Sequence, residues 1–247
     1  MVPVTEEEVV ERVVERVWEQ IAGDPGDGSS GPSAQRNCGA KTRPEEPSPQ
    51  LPTENQLRLP TVQLEASGRH VHVSREAADR LLGVGVRLTP MADLSQPGQF
   101  VCAERIGVRG PKGSFESVVI LGPERAETQV ELSMTDARLL GVTPVVRLSG
   151  DLAGTPGVTL VGPAGEVNVD HGVMVAKRHI HMHPSDAARW GFANGQEVSV
   201  RVGGERGLTF AQVELRVSPQ FATYMHIDYD EANACGFAKG MTGTIIA

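Results

Sequence analysis

Two short histidine pairs constrain this chain more than any other feature. His70 and His72 form an H-V-H motif, and His179 and His181 form an H-I-H motif about one domain later. Side chains two residues apart share one face of a β-strand. Each pair therefore directs two imidazoles toward one point, and both points can hold a metal ion.

The pairs belong to a unit that occurs four times: a strand, a ligand-type residue, a cap, and a short helix that ends at a glycine. The ligand-type residues are His72, Glu131, His181 and His226, the caps are Ser74, Ser133, His183 and Asp228, and the final glycines are Gly83, Gly141, Gly191 and Gly236. Ser and Asp side chains accept hydrogen bonds from the free N–H groups of a first helical turn, and a left-handed glycine ends a helix. The pattern therefore places each ligand at a strand end, just before the chain turns.

Six ligand-type groups at matching positions of this repeat favour two metal sites. Grouped by half of the chain, the sets are His70, His72 and Glu131, then His179, His181 and His226. Zinc takes imidazole and carboxylate ligands, and a catalytic site keeps one position open. A single H-x-H pair is more often a surface or packed pair, so the inference depends on the six together. We leave out His171, in a predicted turn, and His183, at a cap position.

The first motif has a competing interpretation. The spacing of His70, His72 and Glu76 resembles the cupin metal motif, in which one barrel supplies all three ligands. The capped helix predicted from Ser74 to Leu82 would carry Glu76 away from the strand face. A second cupin half-motif is also absent.

Composition excludes several classes of partner. The net charge is −8, so neither nucleic acid nor an anionic membrane is an expected partner. The three cysteines have no C-x-x-C spacing, which argues against a disulfide framework and a thiolate zinc site. Apolar runs are too short to span a bilayer, and the first residues are acidic where a signal peptide is basic. We therefore expect a cytoplasmic protein.

The N-terminal quarter of the chain divides into a helix and a linker. Valines recur at helical spacing in residues 5–21, with Glu and Arg opposite, which predicts an amphipathic helix within residues 1–22. Residues 23–60 are rich in Pro, Gly and Ser, as in a flexible tether. The helix can fold back on its own domain, but the long tether favours docking on another protein.

The rest of the chain predicts a mainly β fold with short α-helices. Short alternating or β-branched stretches are separated by Gly and Pro turns, as in small antiparallel barrels capped by helices. Because the two H-x-H strands lie in separate halves, we expect two similar barrel domains, residues 61–160 and 161–247.

Arg125 is a candidate for binding an oxyanion. It lies six residues before Glu131, and a guanidinium matches phosphate with two parallel hydrogen bonds. Spacing alone favours a solvated arginine in a turn. The glycine-rich turns 107–113 and 150–157 match neither a Walker A loop nor a dinucleotide-binding motif.

With these residues in hand, the chain resembles the PduL-type phosphotransacylases, the phosphate propanoyltransferases of bacterial microcompartments. The resemblance extends from about residue 62 to the C-terminus. Its matching segments are 67–74, 121–125, 129–133, 149–154, 156–162, 177–182 and 226–233.

The resemblance implies an enzyme that interconverts a short-chain acyl-CoA and phosphate with acyl phosphate and CoA. It implies two zinc ions, with His70, His72 and Glu131 holding the one whose open position takes the CoA sulfur. Arg125 falls on the phosphate-binding position, and Ser67 and Asn233 match positions that contact CoA. Relatives also carry N-terminal amphipathic helices that direct them into protein-shelled compartments, so shell or cargo proteins are expected partners of residues 5–21. We further expect a homodimer or larger homo-oligomer.

Two positions differ from the family pattern, and the sequence also allows two other functions. Val119 and Ala92 stand where relatives often have basic side chains, so the contacts to the CoA phosphates can differ. A dinuclear metal hydrolase would activate water instead of phosphate. A zinc-stabilised scaffold without catalysis is the other alternative, although structural zinc sites are closed and rich in cysteine. The acyl chain can be acetyl or propanoyl.

Overall fold

The computed structural model describes residues 59–246, so the predicted targeting helix and almost all of the predicted linker lie outside the described residues. The strands are β1 (Thr61–Ser67), β2 (His70–His72), β3 (Pro90–Asp93), β4 (Phe100–Arg109), β5 (Ser114–Gly122), β6 (Gln129–Leu132), β7 (Val146–Arg147), β8 (Val158–Val161), β9 (Glu166–Val169), β10 (Val173–Ala176), β11 (His179–Met182), β12 (Glu197–Val202), β13 (Leu208–Val217), β14 (Tyr224–Asp228) and β15 (Thr242–Ile246). The helices are α1 (Arg75–Leu82), α2 (Met134–Leu140), α3 (Pro184–Trp190) and α4 (Tyr229–Cys235).

The strands form two sheets. A closed six-stranded barrel has the order β1-β14-β11-β13-β12-β15, and β15 pairs with β1 to close it. The other sheet, called the open sheet below, is a half-barrel with the order β7-β10-β6-β2-β5-β4-β8-β9, and β3 pairs with β4 beside it. The prediction of a mainly β fold with short helices is confirmed, and only one of the two units closes.

The chain does not pass from the open sheet to the barrel between residues 160 and 161, which is the domain boundary predicted from the sequence. Strand β1 belongs to the barrel, where it runs parallel to β14 and antiparallel to β15. Strands β9 and β10 belong to the open sheet, and the barrel resumes at β11. The barrel needs β1 because β14 and β15 would otherwise each have an unpaired edge.

Each sheet has its own apolar core, and the barrel core shows why the histidines point outward. Ile180 and Met182 on β11 are completely buried inside the barrel. Because side chains alternate along a strand, His179 and His181 lie on its outer face. The same alternation on β13 buries Leu215 in the barrel core and places Glu214 and Arg216 on the outer face of the barrel.

The predicted caps are present at the strand ends. Ser74 Oγ accepts a hydrogen bond from Ala77 N (3.1 Å), and Asp228 and Glu231 form a capping box. Each helix ends at the predicted glycine with positive φ, although Gly83 (φ 113°, ψ 145°) lies outside the left-handed helical region that the other three adopt. Within residues 59–246, no helix has both the length and the apolar character needed to cross a membrane.

Candidate metal centre and active site

The first predicted set of ligands is assembled by two neighbouring strands. Strands β2 and β6 pair in antiparallel register, with His70 opposite Glu131. The Nε2 atom of His70 lies 3.5 Å from Glu131 Oε2, and the Nε2 atom of His72 lies 3.8 Å from Glu131 Oε1. All three side chains are buried, and their ligand atoms lie within 4.8 Å of one another. We call this set the first triad.

The second set is assembled on the outer face of the barrel. Strands β11 and β14 pair with His179 opposite His226, and His181 follows on the same face. The ring centroid of His179 lies 4.6 Å from that of His181 and 5.2 Å from that of His226. The ligand atoms again lie within 4.8 Å of one another. We call this set the second triad.

Backbone carbonyl groups orient three of the five imidazoles. The Nδ1 atoms of His70, His72 and His179 lie 2.8, 3.2 and 2.8 Å from the carbonyl oxygens of Gly68, Leu121 and Lys177, respectively. Donation from Nδ1 to a carbonyl leaves the lone pair on Nε2, which is the usual arrangement in metal-binding histidines.

His181 supplies a direct test of whether a cation fits. Its Nδ1 atom is buried and has no hydrogen-bond partner among residues 59–246. A buried polar atom without a partner costs free energy, and a metal bond would remove that cost. The donor set and this unpaired nitrogen both fit a divalent cation.

The imidazoles of the second triad are held in the neutral form. Burial is the main cause that lowers the pKa of His181 to about 2 and that of His226 to about 3, and neighbouring histidines add to the effect. Burial also lowers the pKa of His179. Metal ligands must be deprotonated, so these side chains are ready to bind at neutral pH.

The first triad differs because it contains a carboxylate. Burial, with the charges of His70 and Arg125, lowers the pKa of His72 to about 3. Burial also acts to lower the pKa of His70, but the Glu131 charge and hydrogen bond outweigh it and the pKa is raised. The same pairing lowers the pKa of Glu131 against the effect of burial. The contact between His70 and Glu131 therefore favours the ionised form of each side chain.

A serine connects Arg125 to the first triad. Ser149 Oγ accepts hydrogen bonds from Arg125 Nη1 (2.9 Å) and Gln129 Nε2 (2.9 Å), and it donates one to Glu131 Oε1 (2.9 Å). The hydroxyl thus uses its one donor and both acceptor positions. Gln129 also donates to Glu131, and its Oε1 accepts from Gly150 N (2.9 Å).

Both triads open onto one cavity between the barrel and the open sheet. Its volume is about 550 Å³, and Arg125 and Ser67 line it together with the six triad residues. A second, shallower pocket of about 400 Å³ is lined by Asn233 and shares Ala66 and Tyr229 with the first. The two pockets are therefore neighbours that meet at Ala66 and Tyr229.

Comparison with known proteins decides the family. The family model for phosphate propanoyltransferase matches residues 63–238. The phosphate propanoyltransferase of Enterococcus faecalis is 61% identical over 186 residues, which cover 75% of this chain and 88% of the relative. Those of Listeria monocytogenes and Thermotoga maritima are 56% and 51% identical, over 75% and 73% of this chain and 87% of each relative.

This chain belongs to the phosphate propanoyltransferase family. The resemblance described from the motifs and the prediction of an acyltransferase are both confirmed. Family membership also disfavours the scaffold alternative.

The remaining predicted residues are divided between the cavity and the surface. Glu76 is exposed in the first turn of α1, so the third member of the first triad is Glu131 and not the cupin-type Glu76. His171 and His183 are exposed and lie in neither triad. Of the two departures, Val119 lines the cavity, and Ala92 is exposed on the edge strand β3.

Sequence reasoning missed several polar residues of this site. Gln129 and Ser149 fall within segments that match the family but did not stand out as site residues, although Gln129 is two residues from Glu131 and so shares its face. Gln96 was also missed; its Nε2 donates to Ala222 O (3.1 Å) and lies 3.4 Å from His226 Nε2. Arg216, which also lines the cavity, carries no local signal at all.

Proposed function

We propose that this enzyme transfers a short acyl group, propanoyl or acetyl, between coenzyme A and phosphate through a site with two zinc ions. The observation that carries the proposal is the single cavity onto which both triads and Arg125 open. A thioester, an anion and two cations can be brought together there.

His70, His72 and Glu131 would hold one zinc ion, and His179, His181 and His226 would hold the other. The mixed imidazole and carboxylate set and the all-imidazole set are both ordinary zinc ligands. When bound, zinc supplies Lewis-acid chemistry that lowers the pKa of a thiol or polarises a carbonyl group. The deprotonated histidines and the unpaired His181 Nδ1 support this assignment.

The reaction needs no covalent enzyme intermediate. A phosphate oxygen attacks the thioester carbonyl carbon, the new C–O bond forms, and the C–S bond breaks. The proton of hydrogenphosphate balances the thiolate that leaves, so the products are acyl phosphate and free CoA. Arg125 would bind the phosphate and offset the charge that develops on the tetrahedral intermediate.

The two cysteines within residues 59–246 support direct transfer. Cys102 and Cys235 are buried and free, and neither lines the cavity. Burial is the main cause that raises the pKa of both thiols, that of Cys102 to about 11. A buried thiol with a raised pKa is a poor nucleophile at neutral pH.

Coenzyme A would extend from the cavity into the adjoining pocket. Ser67 lines the first and Asn233 the second, so a long ligand can meet both. We propose that these two residues contact CoA. Val119 leaves an apolar surface in the cavity wall where relatives often carry a basic group.

We also propose that residues 5–21 direct the enzyme into a bacterial microcompartment by docking on shell or cargo proteins. The support is the sequence pattern of an amphipathic helix followed by a Pro-, Gly- and Ser-rich tether. Deletion of residues 1–22 should leave acyl transfer unchanged and abolish co-purification with the shells. Retention of the deleted variant in purified shells would contradict this assignment.

The activity is tested by following free thiol released from propanoyl-CoA with and without phosphate, while acyl phosphate is trapped with hydroxylamine. Phosphate-dependent release with an equal amount of acyl phosphate is expected. Release without phosphate would indicate the hydrolase, and no release would contradict both enzymes. Elemental analysis of the same sample should find two zinc ions per chain, and a metal-free active enzyme would contradict the metal assignment.

A further inference from the structure

Arg216 lies on the same outer face of the barrel as the second triad. Strands β11 and β13 are parallel, with His181 directly opposite Arg216. Leu215 points into the barrel core, so its neighbour Arg216 must point outward. There Arg216 lines the same cavity as the triads and Arg125.

An aromatic side chain links Arg216 to the second triad. The ring of Phe221 stacks on His181, with 4.0 Å between the ring centroids. The guanidinium carbon of Arg216 lies 5.8 Å from the centroid of the Phe221 ring, within the range of a cation–π contact. Phe221 therefore helps to hold the guanidinium close to His181.

No carboxylate neutralises Arg216 within residues 59–246. None of their acidic side chains forms an ion pair with it, and its guanidinium makes no hydrogen bond to any of them. The acidic residue nearest on the same strand face, Glu214, is bound instead by Lys177 at 2.9 Å. A half-buried guanidinium whose donors are not taken up by a carboxylate is suited to bind an external anion.

The charges of Arg216 and Arg125 act on each other across the cavity. Burial is the main cause that lowers the pKa of Arg125, Glu131 opposes it, and the charge of Arg216 lowers it further. Two guanidinium groups that face one cavity repel each other unless an anion lies between them. The Arg125 side chain donates to the uncharged Ser149 hydroxyl and forms no ion pair with a carboxylate within residues 59–246, so both guanidinium groups can take an external anion.

We propose that Arg216 is a second phosphate-binding residue, which holds the phosphoryl group from the barrel side while Arg125 holds it from the side of the open sheet. This inference rests on the proposed function. A phosphate has enough oxygens for two guanidinium groups to bind side by side, each through two hydrogen bonds. The same pair would hold the phosphoryl end of acyl phosphate in the reverse reaction.

The test compares Arg216→Gln with Arg201→Gln. Arg201 is exposed on β12 of the same barrel and lies outside the cavity, so its replacement controls for the lost charge. We expect Arg216→Gln to lower kcat/KM for phosphate by about 10- to 100-fold, as is typical for loss of a charged hydrogen bond. The KM for propanoyl-CoA should change by less than about twofold, and Arg216→Lys should recover part of the loss because it keeps a point charge.

Two further measurements distinguish phosphate binding from CoA binding and from damage to the fold. Calorimetric titration with inorganic phosphate should show weaker binding to Arg216→Gln, at unchanged metal content and unfolding temperature. Kinetics with S-propanoyl-pantetheine, which has no phosphate groups, should show the same phosphate defect. If the defect appears only as a raised KM for propanoyl-CoA and disappears with the pantetheine thioester, Arg216 binds CoA and the proposal is wrong.

The outcomes also separate this inference from the proposed function. Wild-type protein that releases no thiol on phosphate addition would contradict the proposed function, whereas phosphate titration would still test Arg216. An active wild type with phosphate binding and kinetics unchanged in Arg216→Gln would overturn only the role of Arg216.

Discussion

The two triads arise from the same local unit, but they differ in charge and in surroundings. The first contains Glu131, which a serine connects to Arg125. The second consists of three imidazoles, with Phe221 stacked on His181. The same repeated unit thus contributes to both triads, but side chains from other parts of the fold give each triad different electrostatic properties.

The difference in charge has a consequence for chemistry. A divalent cation bound by neutral imidazoles keeps its full charge, whereas one bound by Glu131 is partly neutralised. The second triad would therefore attract an anion more strongly than the first. Arg216 next to the second triad strengthens that difference, since it adds an unneutralised charge on the same side.

The largest effects are expected from removing one ligand of each triad. His72→Ala and His181→Ala should each lower the metal content from two to one per chain. Each should reduce kcat/KM on the order of a thousand-fold, about 4 kcal/mol of transition-state stabilisation. Elemental analysis and thiol release provide the measurements. His171→Ala, an exposed histidine outside both triads, is the control and should keep both metals. Retention of two metals in either triad variant would show that the sites are not those described.

Arg125→Ala should have the next largest effect, because its guanidinium is the one tied to the first triad. Loss of an oxyanion donor costs about 2 to 4 kcal/mol, which should appear in kcat/KM for phosphate. Initial rates at varied phosphate concentration provide the measurement. The matched control is Arg109→Ala, an exposed arginine of the open sheet that pairs with Glu166 away from the cavity. Unchanged phosphate kinetics in Arg125→Ala would remove it from the site.

Ser149→Ala should have a smaller effect, which is confined to metal binding at the first triad. Loss of its hydroxyl leaves Glu131 Oε1 without one of its donors. We expect the metal affinity of the first triad to fall by about 10- to 100-fold, as for other residues that support ligands, and that of the second to stay unchanged. Chelator competition in the His181→Ala background isolates the first triad, and the same assay in the His72→Ala background isolates the second. An equal loss at both sites would mean that Ser149 acts on the whole fold.

The smallest effects are expected from the helix caps, which test whether the barrel and the open sheet unfold together. Ser133 follows β6 of the open sheet and Asp228 ends β14 of the barrel, and Ser133→Ala and Asp228→Ala each remove a cap that accepts a hydrogen bond from the first helical turn. Each should lower the free energy of unfolding by about 1 kcal/mol. Calorimetry should show one transition that both variants shift. Two transitions, each moved by only one variant, would show that the sheets unfold independently.

The members of the two triads were predictable from sequence because their clustering depends on local geometry. The period of two in a strand placed His70 with His72, and the repeated cap and glycine indicated Glu131 and His226. Arg216 was not predictable in this way. It reaches the second triad through the parallel pairing of β13 with β11, and nothing in the sequence states which strands pair or in which register.

The predicted domain boundary shows the same limit, because the sequence does not reveal which distant strands pair. A linear division at residue 160 follows from the spacing of the two histidine motifs, but β1 pairs with β14 and β15 near the other end of the chain. Pairing between segments so distant in sequence is decided by the edges that the fold leaves open.

The placement of β1 also limits how this protein can be divided or shortened. This strand lies at the start of the described residues, far along the chain from the other five barrel strands, and β2 of the open sheet follows it almost at once. A gene cut between the two histidine motifs would give one fragment with a stray barrel strand and another with a barrel that cannot close. A truncation that extends past Thr61 would begin to remove the strand that pairs with β14 and β15. Neither triad could therefore be exchanged or engineered as a separate module.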